Sequence, residues 1–255
     1  MLKLLNQNEY EKARSIFSEF IVNEPLIYSV LDFKSAGKVY TDNKQNPSFA
    51  LLYTEGSTYT FLAGDLDSTS LANVTSLLKT YPLISLVSPP KWKYQSFFEE
   101  MGFKEEKLIQ FRSFLDPAHW TFWMNSLPLN CSANKIDDTN FSKCDWYEFI
   151  TTFYGNKNAF FSNGAGFCLE TEGKVISESY ALIGSGKAEL GIATNKDFQR
   201  QNYGTIAMSF ILDYCSQQNI EPYWTCKASN IGSSSMAKKL GFKESCRYSL
   251  LTFSA

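Results

Sequence analysis

Residues 188–207, AELGIATNKDFQRQNYGTIA, carry the pattern from which the rest of the chain is read. The stretch AELGIAT has the alternation of a strand. From Tyr203 onward, Ile206, Phe210, Leu212 and Tyr214 recur at mostly helical spacing. Between the two, QRQNYG (Gln199 to Gly204) must turn the chain tightly. A strand entering a helix through such a turn aims several unpaired amides at one point. The helix dipole adds roughly half a positive charge there. The product is an anion cradle made mostly of backbone and suited to a pyrophosphate. Gly204 offers backbone without a Cβ, and Asn202 accepts a left-handed conformation at modest cost. Polar turns also open many ordinary helices, so the loop takes its meaning from its surroundings.

Those surroundings predict a sheet with helices on it. Upstream, GFCLETEGKVISESYALIGSGKAELGIAT alternates strand and turn, with EGK at 172–174 and GSGK at 184–187 as tight hairpin turns. Downstream come PYWTCKA as a short strand, NIGSSSMAKKL as a helix and SCRYSLLTF as a last strand. This order predicts an α/β (α+β) fold, a mixed, mostly antiparallel sheet flanked by helices.

The first half repeats much of the order. SFALLYTE and TYTFLAGD predict a hairpin around Gly56, STSLANVTSLLKTY a helix capped at Ser68 or Ser70, and LISLVS a strand. KWKYQSFFEEM predicts a helix stopped by Gly102, and KLIQFRSFL a strand. EEMGFKEEK (99–107) and KKLGFKESC (238–246) then match at an offset of 241 − 102 = 139 residues, which points to a duplication. The division expected is 1–125 and 126–255. The first copy's loop, AGDLDSTS, is shorter and places Asp65 and Asp67 where a phosphate would sit, so that copy is expected to be a degenerate, non-binding module.

The C-terminal pattern resembles the GNAT superfamily of N-acetyltransferases. Its loop pattern, Gln/Arg-x-x-Gly-x-Gly/Ala, is matched by QRQNYG with Asn202 at the middle Gly, and N-x-x-S in NIGS and AKKLGF follow in order. AELGIATNKDFQRQNYGTIA with PYWTCKASN is similar, more narrowly, to the bacterial zwittermicin-resistance-type group. The resemblance implies acetyl-CoA as cosubstrate and a primary amine of a small molecule as acceptor. It places pantetheine along the backbone of Ile192, Ala193 and Thr194 and near Asn230. It places the pyrophosphate on the loop of Gln199, Arg200, Gln201, Asn202, Tyr203, Gly204 and Thr205. The family's thiolate-protonating Tyr is replaced by Ala237, and Ser234, Ser235, Tyr223 and Cys226 are the substitutes considered. Two other readings stay open: a silent acyl-CoA-binding regulatory protein, and a tRNA-dependent aminoacyl transferase with tandem modules.

Glu189 is the candidate catalytic base. Alternation puts it on one face of its strand with Gly191 and Ala193, beside small residues that leave room for substrate. Acetyl transfer needs the neutral amine, and a carboxylate whose pKa is raised in a dry cleft can take the proton. A salt-bridged strand carboxylate is the plain alternative. Asn230 also suits a helix N-cap, Lys238 and Lys239 a solvated face or, as the lesser reading, a contact to the CoA 3′-phosphate, and His119 an aromatic covering segment. WYEFITTFYGNKNAFF predicts an amphipathic helix on the sheet, and secondly a wall for the acceptor.

Composition narrows the classes. The 255 residues are 44% apolar and 16% aromatic with a formal charge of −2, which argues against a nucleic-acid or polybasic membrane surface. No apolar run reaches the ~20 residues of a membrane span. The six cysteines form no C-x-x-C and there is one His, so no metal site is expected. The expected compartment is the cytoplasm; the oligomeric state is left open.

Overall fold

The computed structural model describes residues 2–113 and 115–254. The first half contains strands β1 (Lys3–Leu4), β2 (Gly37–Thr41), β3 (Phe49–Thr54), β4 (Tyr59–Gly64), β5 (Leu83–Ser88) and β6 (Lys104–Arg112). Its helices are α1 (Glu11–Arg14), α2 (Glu24–Leu31), α3 (Ser68–Leu78) and α4 (Gln95–Glu100). The second half contains β7 (Ser132–Lys135), β8 (Ala165–Thr171), β9 (Lys174–Gly184), β10 (Lys187–Thr194), β11 (Glu221–Lys227) and β12 (Lys243–Ser254). With them are α5 (Thr121–Met124), α6 (Tyr147–Tyr154), α7 (Lys157–Asn163), α8 (Tyr203–Gln217) and α9 (Ile231–Lys239). Of the predicted strand KLIQFRSFL, Phe114 lies outside the described residues.

Among the described residues twelve strands make one sheet, ordered β1-β2-β3-β4-β5-β12-β6-β11-β10-β9-β8-β7. It is mixed and mostly antiparallel; β4–β5 and β10–β11 are its parallel pairs. The predicted hairpins form for the predicted reason. Glu172 and Gly173, and then Ser185 and Gly186, all take positive φ, which two-residue hairpin turns of the right twist require.

The two GFKE phrases end helices identically. The amides of Phe103 and Phe242 reach back to the carbonyls of Phe98 and Ala237, both at 3.0 Å. Gly102 and Gly241 stand at φ 93° and 85°, the left-handed stop that glycine makes cheaply. Each phrase then feeds a strand that leaves its own half. β6 lies between β12 and β11, and β12 lies between β5 and β6. The two strands pair antiparallel from Lys104–Thr252 to Arg112–Lys243, with one irregularity at Glu244/Cys246. The exchanged strands are thus the seam of a continuous sheet.

Two local readings change, and one element is added. The cap of α3 is Asp67, whose side chain accepts from Ser70 N at 2.7 Å, not Ser68 or Ser70. The aromatic run after Trp146 is broken at Gly155 (φ 81°), and Asn156 caps α7. Elements before residue 49 also form a cover: α2 packs on β9 and β10, so closely that a Cβ on Gly184 would lie 2.2 Å from Pro25 O.

Candidate active site

β10 and β11 pair only from Lys187–Glu221 to Glu189–Tyr223. Beyond Glu189 they part. β9 holds the far edge of β10 to Thr194, and β6 holds the far edge of β11 to Lys227. The backbone of 190–194 therefore turns an unpaired edge to the gap, at the carboxyl ends of two parallel strands, where α/β sheets commonly bind ligands.

Toward α8 and α9 the gap opens into a cleft of about 700 Å3. Ile192, Thr194, Gln199, Arg200, residues 202–205, Met236 and Lys239 are in its wall. The first helical bond of α8 runs from Ile206 N to Asn202 O, so the preceding amides have no intrahelical acceptor. Asn202, at φ 66°, gives them no side-chain cap. Its Oδ1 instead accepts from Lys239 Nζ at 3.2 Å, and Lys239 sits 4.7 Å from the centre of the Trp123 ring. Arg200 is also left-handed, φ 66°. Gln199 Nε2 donates to Thr194 O at 3.1 Å and Gln201 Nε2 to Asp197 O at 3.2 Å, which folds the loop onto itself.

Ala193 and Gln201 belong to the same strand and loop without lining the cleft. Gly204 has a second role: a Cβ there would lie 3.0 Å from Thr194 Oγ1 and 3.1 Å from Ile192 Cδ1, so its bare backbone lets α8 close on β10. Lys239, read as a solvated face, lines the cleft. His119 packs on the Gly241 turn, where an added Cβ would meet its ring at 2.4 Å.

Through the gap lies a second cavity of about 470 Å3, walled by Tyr59, Glu106, Trp146, Thr225 and Asn230 among others. It shares Ile192, Gly232 and Met236 with the cleft. Asn230 caps α9 through Ser233 N at 3.0 Å and faces this cavity. Ala237, where the family's Tyr would stand, is wholly buried. Among the substitutes, Cys226 lines the second cavity and Ser235 the cleft. Tyr223 is buried and donates to Glu24 Oε2 at 2.8 Å, away from both. Ser234 Oγ is turned to Ile231 O.

Glu189 is buried, 8% exposed, directly behind Thr225. Burial pushes its carboxyl up to about 7, opposed by hydrogen bonds from Thr225 and Asn23. Asn23, itself buried and left-handed, donates through Nδ2 to Glu189 Oε2 (3.5 Å) and Thr225 Oγ1 (3.3 Å). Its Oδ1 accepts from Tyr248 OH at 2.6 Å. The space beside Gly191 holds Trp146: a Cβ there would lie 2.4 Å from the indole. Trp146 is set by the buried Glu178, which accepts from the amides of Asp145 (2.9 Å) and Trp146 (2.8 Å).

Sequence reading missed Tyr59 and Glu106 as cavity residues, and gave Lys239 a cofactor contact only as its lesser reading. Tyr59 and Glu106 come from the first half and arrive only through the strand exchange. Lys239 carried a signal, since it lies one helical turn past Ser235 and Met236 on the helix that follows the loop.

A family model described as GNAT acetyltransferase matches residues 14–251. The chain belongs to the GNAT acetyltransferase family. GNAT enzymes transfer an acetyl group from acetyl-CoA, and the family carries that general activity to this chain. An uncharacterized N-acetyltransferase of Bacillus subtilis, YdfB, is 23% identical over 98% of both chains. Among solved structures, a GCN5-related N-acetyltransferase-like protein from Streptococcus suis superposes with a TM-score of 0.79 at 20% identity, covering 97% of this chain and 99% of that one. A tandem GNAT protein from the clavulanic acid biosynthesis pathway does so at 0.65 and 13%, covering 100% and 98%. At these identities the structural likenesses concern the fold. Among the described residues no helix is long and apolar enough to cross a membrane, and no group of three His, Cys, Asp or Glu could hold a metal.

Proposed function

We propose that the chain moves an acetyl group from acetyl-CoA to a primary amine of a small molecule, at the gap between β10 and β11. The observation that carries this is the pair of cavities meeting at Ile192, Gly232 and Met236, one beside an uncapped helix N-terminus and the other beside a buried carboxylate. The residues present fit acetyl-CoA. The amides at the start of α8, the left-handed Arg200 and Asn202, and the ammonium of Lys239 would hold the diphosphate. The free edge of Ile192–Thr194 would hold pantetheine as an added strand would.

When bound, acetyl-CoA supplies a thioester carbonyl that the amine attacks directly. The chain's own task is the amine's proton. Glu189 at about 7 is matched to work near neutral pH, and the hydroxyl of Thr225 or a water connects it to the second cavity. Asn23 and Tyr248 hold the carboxylate in place. Ala237, at the position of the family's Tyr, has no proton to give. An ordinary thiol pKa of about 8.5 makes a dedicated acid dispensable.

The first half we read as a degenerate GNAT-like module, with 1–125 and 126–255 as the two units of a duplication. β4 and β5 also part after Phe61–Val87. There, however, residues 65–67 replace the loop of 195–202. Asp67 caps the Ser70 amide of α3 (2.7 Å), and Tyr94 OH ties Leu66 N (2.7 Å) near Gly64 O (3.3 Å). The zwittermicin-resistance-type assignment rests on motif resemblance alone.

The buried Ala237 favours a second reading, a protein that binds acyl-CoA without turnover. Release of CoA thiol over a panel of amines separates the two. Amine-dependent release supports the enzyme, and tight acetyl-CoA binding with no release on any amine supports the silent binder.

A further inference from the structure

Beyond the gap, the second cavity rests on one face of the sheet. Glu106 of β6 stands opposite Leu250 of β12, and Leu108 of β6 opposite Lys227 of β11. Cross-strand partners share a face, as do residues two apart on a strand, so Thr225 joins these four. Tyr59 and Trp146 pack against the apolar cluster that contains Leu108 and Leu250. The Trp146 ring is fixed by its neighbours: it lies on Tyr180 at 5.8 Å and 9°, and meets Phe149 edge-on at 5.4 Å. Most of the wall is apolar, and Tyr59, Glu106 and Leu108 come from the first half.

The polar side chains of this wall are engaged with protein. Glu106 and Lys227 are its charged residues, and they pair with each other at 2.8 Å. Thr225 Oγ1 accepts from Asn23 Nδ2 at 3.3 Å, Ser233 Oγ from Trp224 Nε1 at 3.0 Å, and Asn230 Oδ1 from Ser233 N at 3.0 Å. Burial, and then the nearby Glu189 and Glu106, hold the Tyr59 phenol above its ordinary range. It is therefore a neutral hydroxyl on the Glu189 side of the cavity.

We propose that the acceptor is a primary amine on an uncharged apolar body, aryl or alkyl, and that the Glu106–Lys227 pair excludes charged bodies. This rests on the reading of the second cavity as the acceptor site. The amine lies near Tyr59 and Thr225, where Glu189 takes its proton, and the body lies along Trp146, Leu108 and Leu250. An apolar body gains from burial against these side chains. A second ammonium, a carboxylate or a hydroxyl would give up water for groups that are already partnered.

The test uses the full chain and amines that differ only at the far end: butylamine, diaminobutane, aminobutyrate and aminobutanol. Phenethylamine is added as a larger apolar body, and CoA release gives kcat/KM for each. Butylamine and phenethylamine should exceed the other three by ~10-fold or more, the cost of burying an unpaired polar group. Ratios between two amines on one variant are then compared, since a general loss of activity cancels from them. Lys227→Gln leaves Glu106 unpaired and should raise diaminobutane against butylamine by roughly ten-fold, the worth of one hydrogen bond to a charged group. Glu106→Gln frees Lys227 and should raise aminobutyrate against butylamine likewise. Both side chains reach solvent, which spares the fold. Polar-ended amines used as well as the apolar ones, or ratios that neither substitution moves, overturn the apolar acceptor and leave the acetyltransferase reading in place. The same holds if none of these five amines is acetylated while others are. If no amine at all is acetylated, the enzyme reading itself fails and takes the apolar acceptor with it.

Discussion

At the residue scale the account turns on Glu189. Burial raises its carboxyl from 4.5 to about 7, so between those values the folded chain holds a proton that the unfolded chain has lost. Raising pH through this window favours unfolding, the reverse of the usual salt-bridged carboxylate. The Glu189 contribution should fall, by of the order of 3 kcal/mol at most, from pH 4.5 to 7 and level off above. Glu189→Gln should lack that contribution, which the difference between the two proteins' melts from pH 4.5 to 8.5 would show. The same variant should lose ~10²–10⁴-fold in turnover at pH 7, with the deficit shrinking at high pH as the amine deprotonates unaided. A flat deficit, or none, would return Glu189 to structure. Alternation along β10, with the family resemblance, was enough to single out this residue as a candidate. It could not show Asn23, which touches Glu189 from 166 residues away.

At the element scale the deciding unit is the turn into α8, together with α9 behind it. Its working parts are amides, and a side chain supports them: Lys239 on Asn202. Lys239→Glu should weaken acetyl-CoA by ten-fold or more, about 1.4 kcal/mol, with little change in melting, because the side chain is exposed. Calorimetry checks it, and unchanged affinity would move the diphosphate away from α9. Asp65→Asn should leave acetyl-CoA affinity unchanged, since Asp65 pairs with Lys93 on the first half's surface.

These elements were legible because strands, hairpin turns and glycine stops are local signals. EGK, GSGK and both GFKE phrases formed as read. The misreadings came where a local choice was close. Asp67 competed with two nearby serines for one cap, and Gly155 split an aromatic run whose spacing suited a single helix. The cavities were only half visible: QRQNYG announced its amides, whereas Trp146 depends on a buried Glu178 that looks in sequence like any strand carboxylate.

At the scale of the whole molecule, the strand exchange binds the halves more closely than a linker would. No sequence pattern names a strand's partner, so the exchange was not readable. It has a plain consequence for fragments. Residues 126–255 alone lose β5 and β6, leaving β12 with neither of its partners and β11 with one edge unpaired, and lose α2, baring β9 and β10. Unpaired strand edges and exposed apolar faces promote aggregation. The fragment should be insoluble or melt far below the full chain, and co-expression with 1–125 should restore solubility. A soluble, active fragment would show the seam to be dispensable.

The central claim is that the chain has one acetyl-CoA site, at the loop before α8 in its second half. Titrating the full chain with acetyl-CoA by calorimetry tests it most directly, with Lys239→Glu in the second half and Asp67→Asn in the first as paired controls. The account predicts one site per chain, weakened by Lys239→Glu and unmoved by Asp67→Asn. Two sites per chain, none, or a single site that responds to Asp67→Asn and not to Lys239→Glu would contradict it.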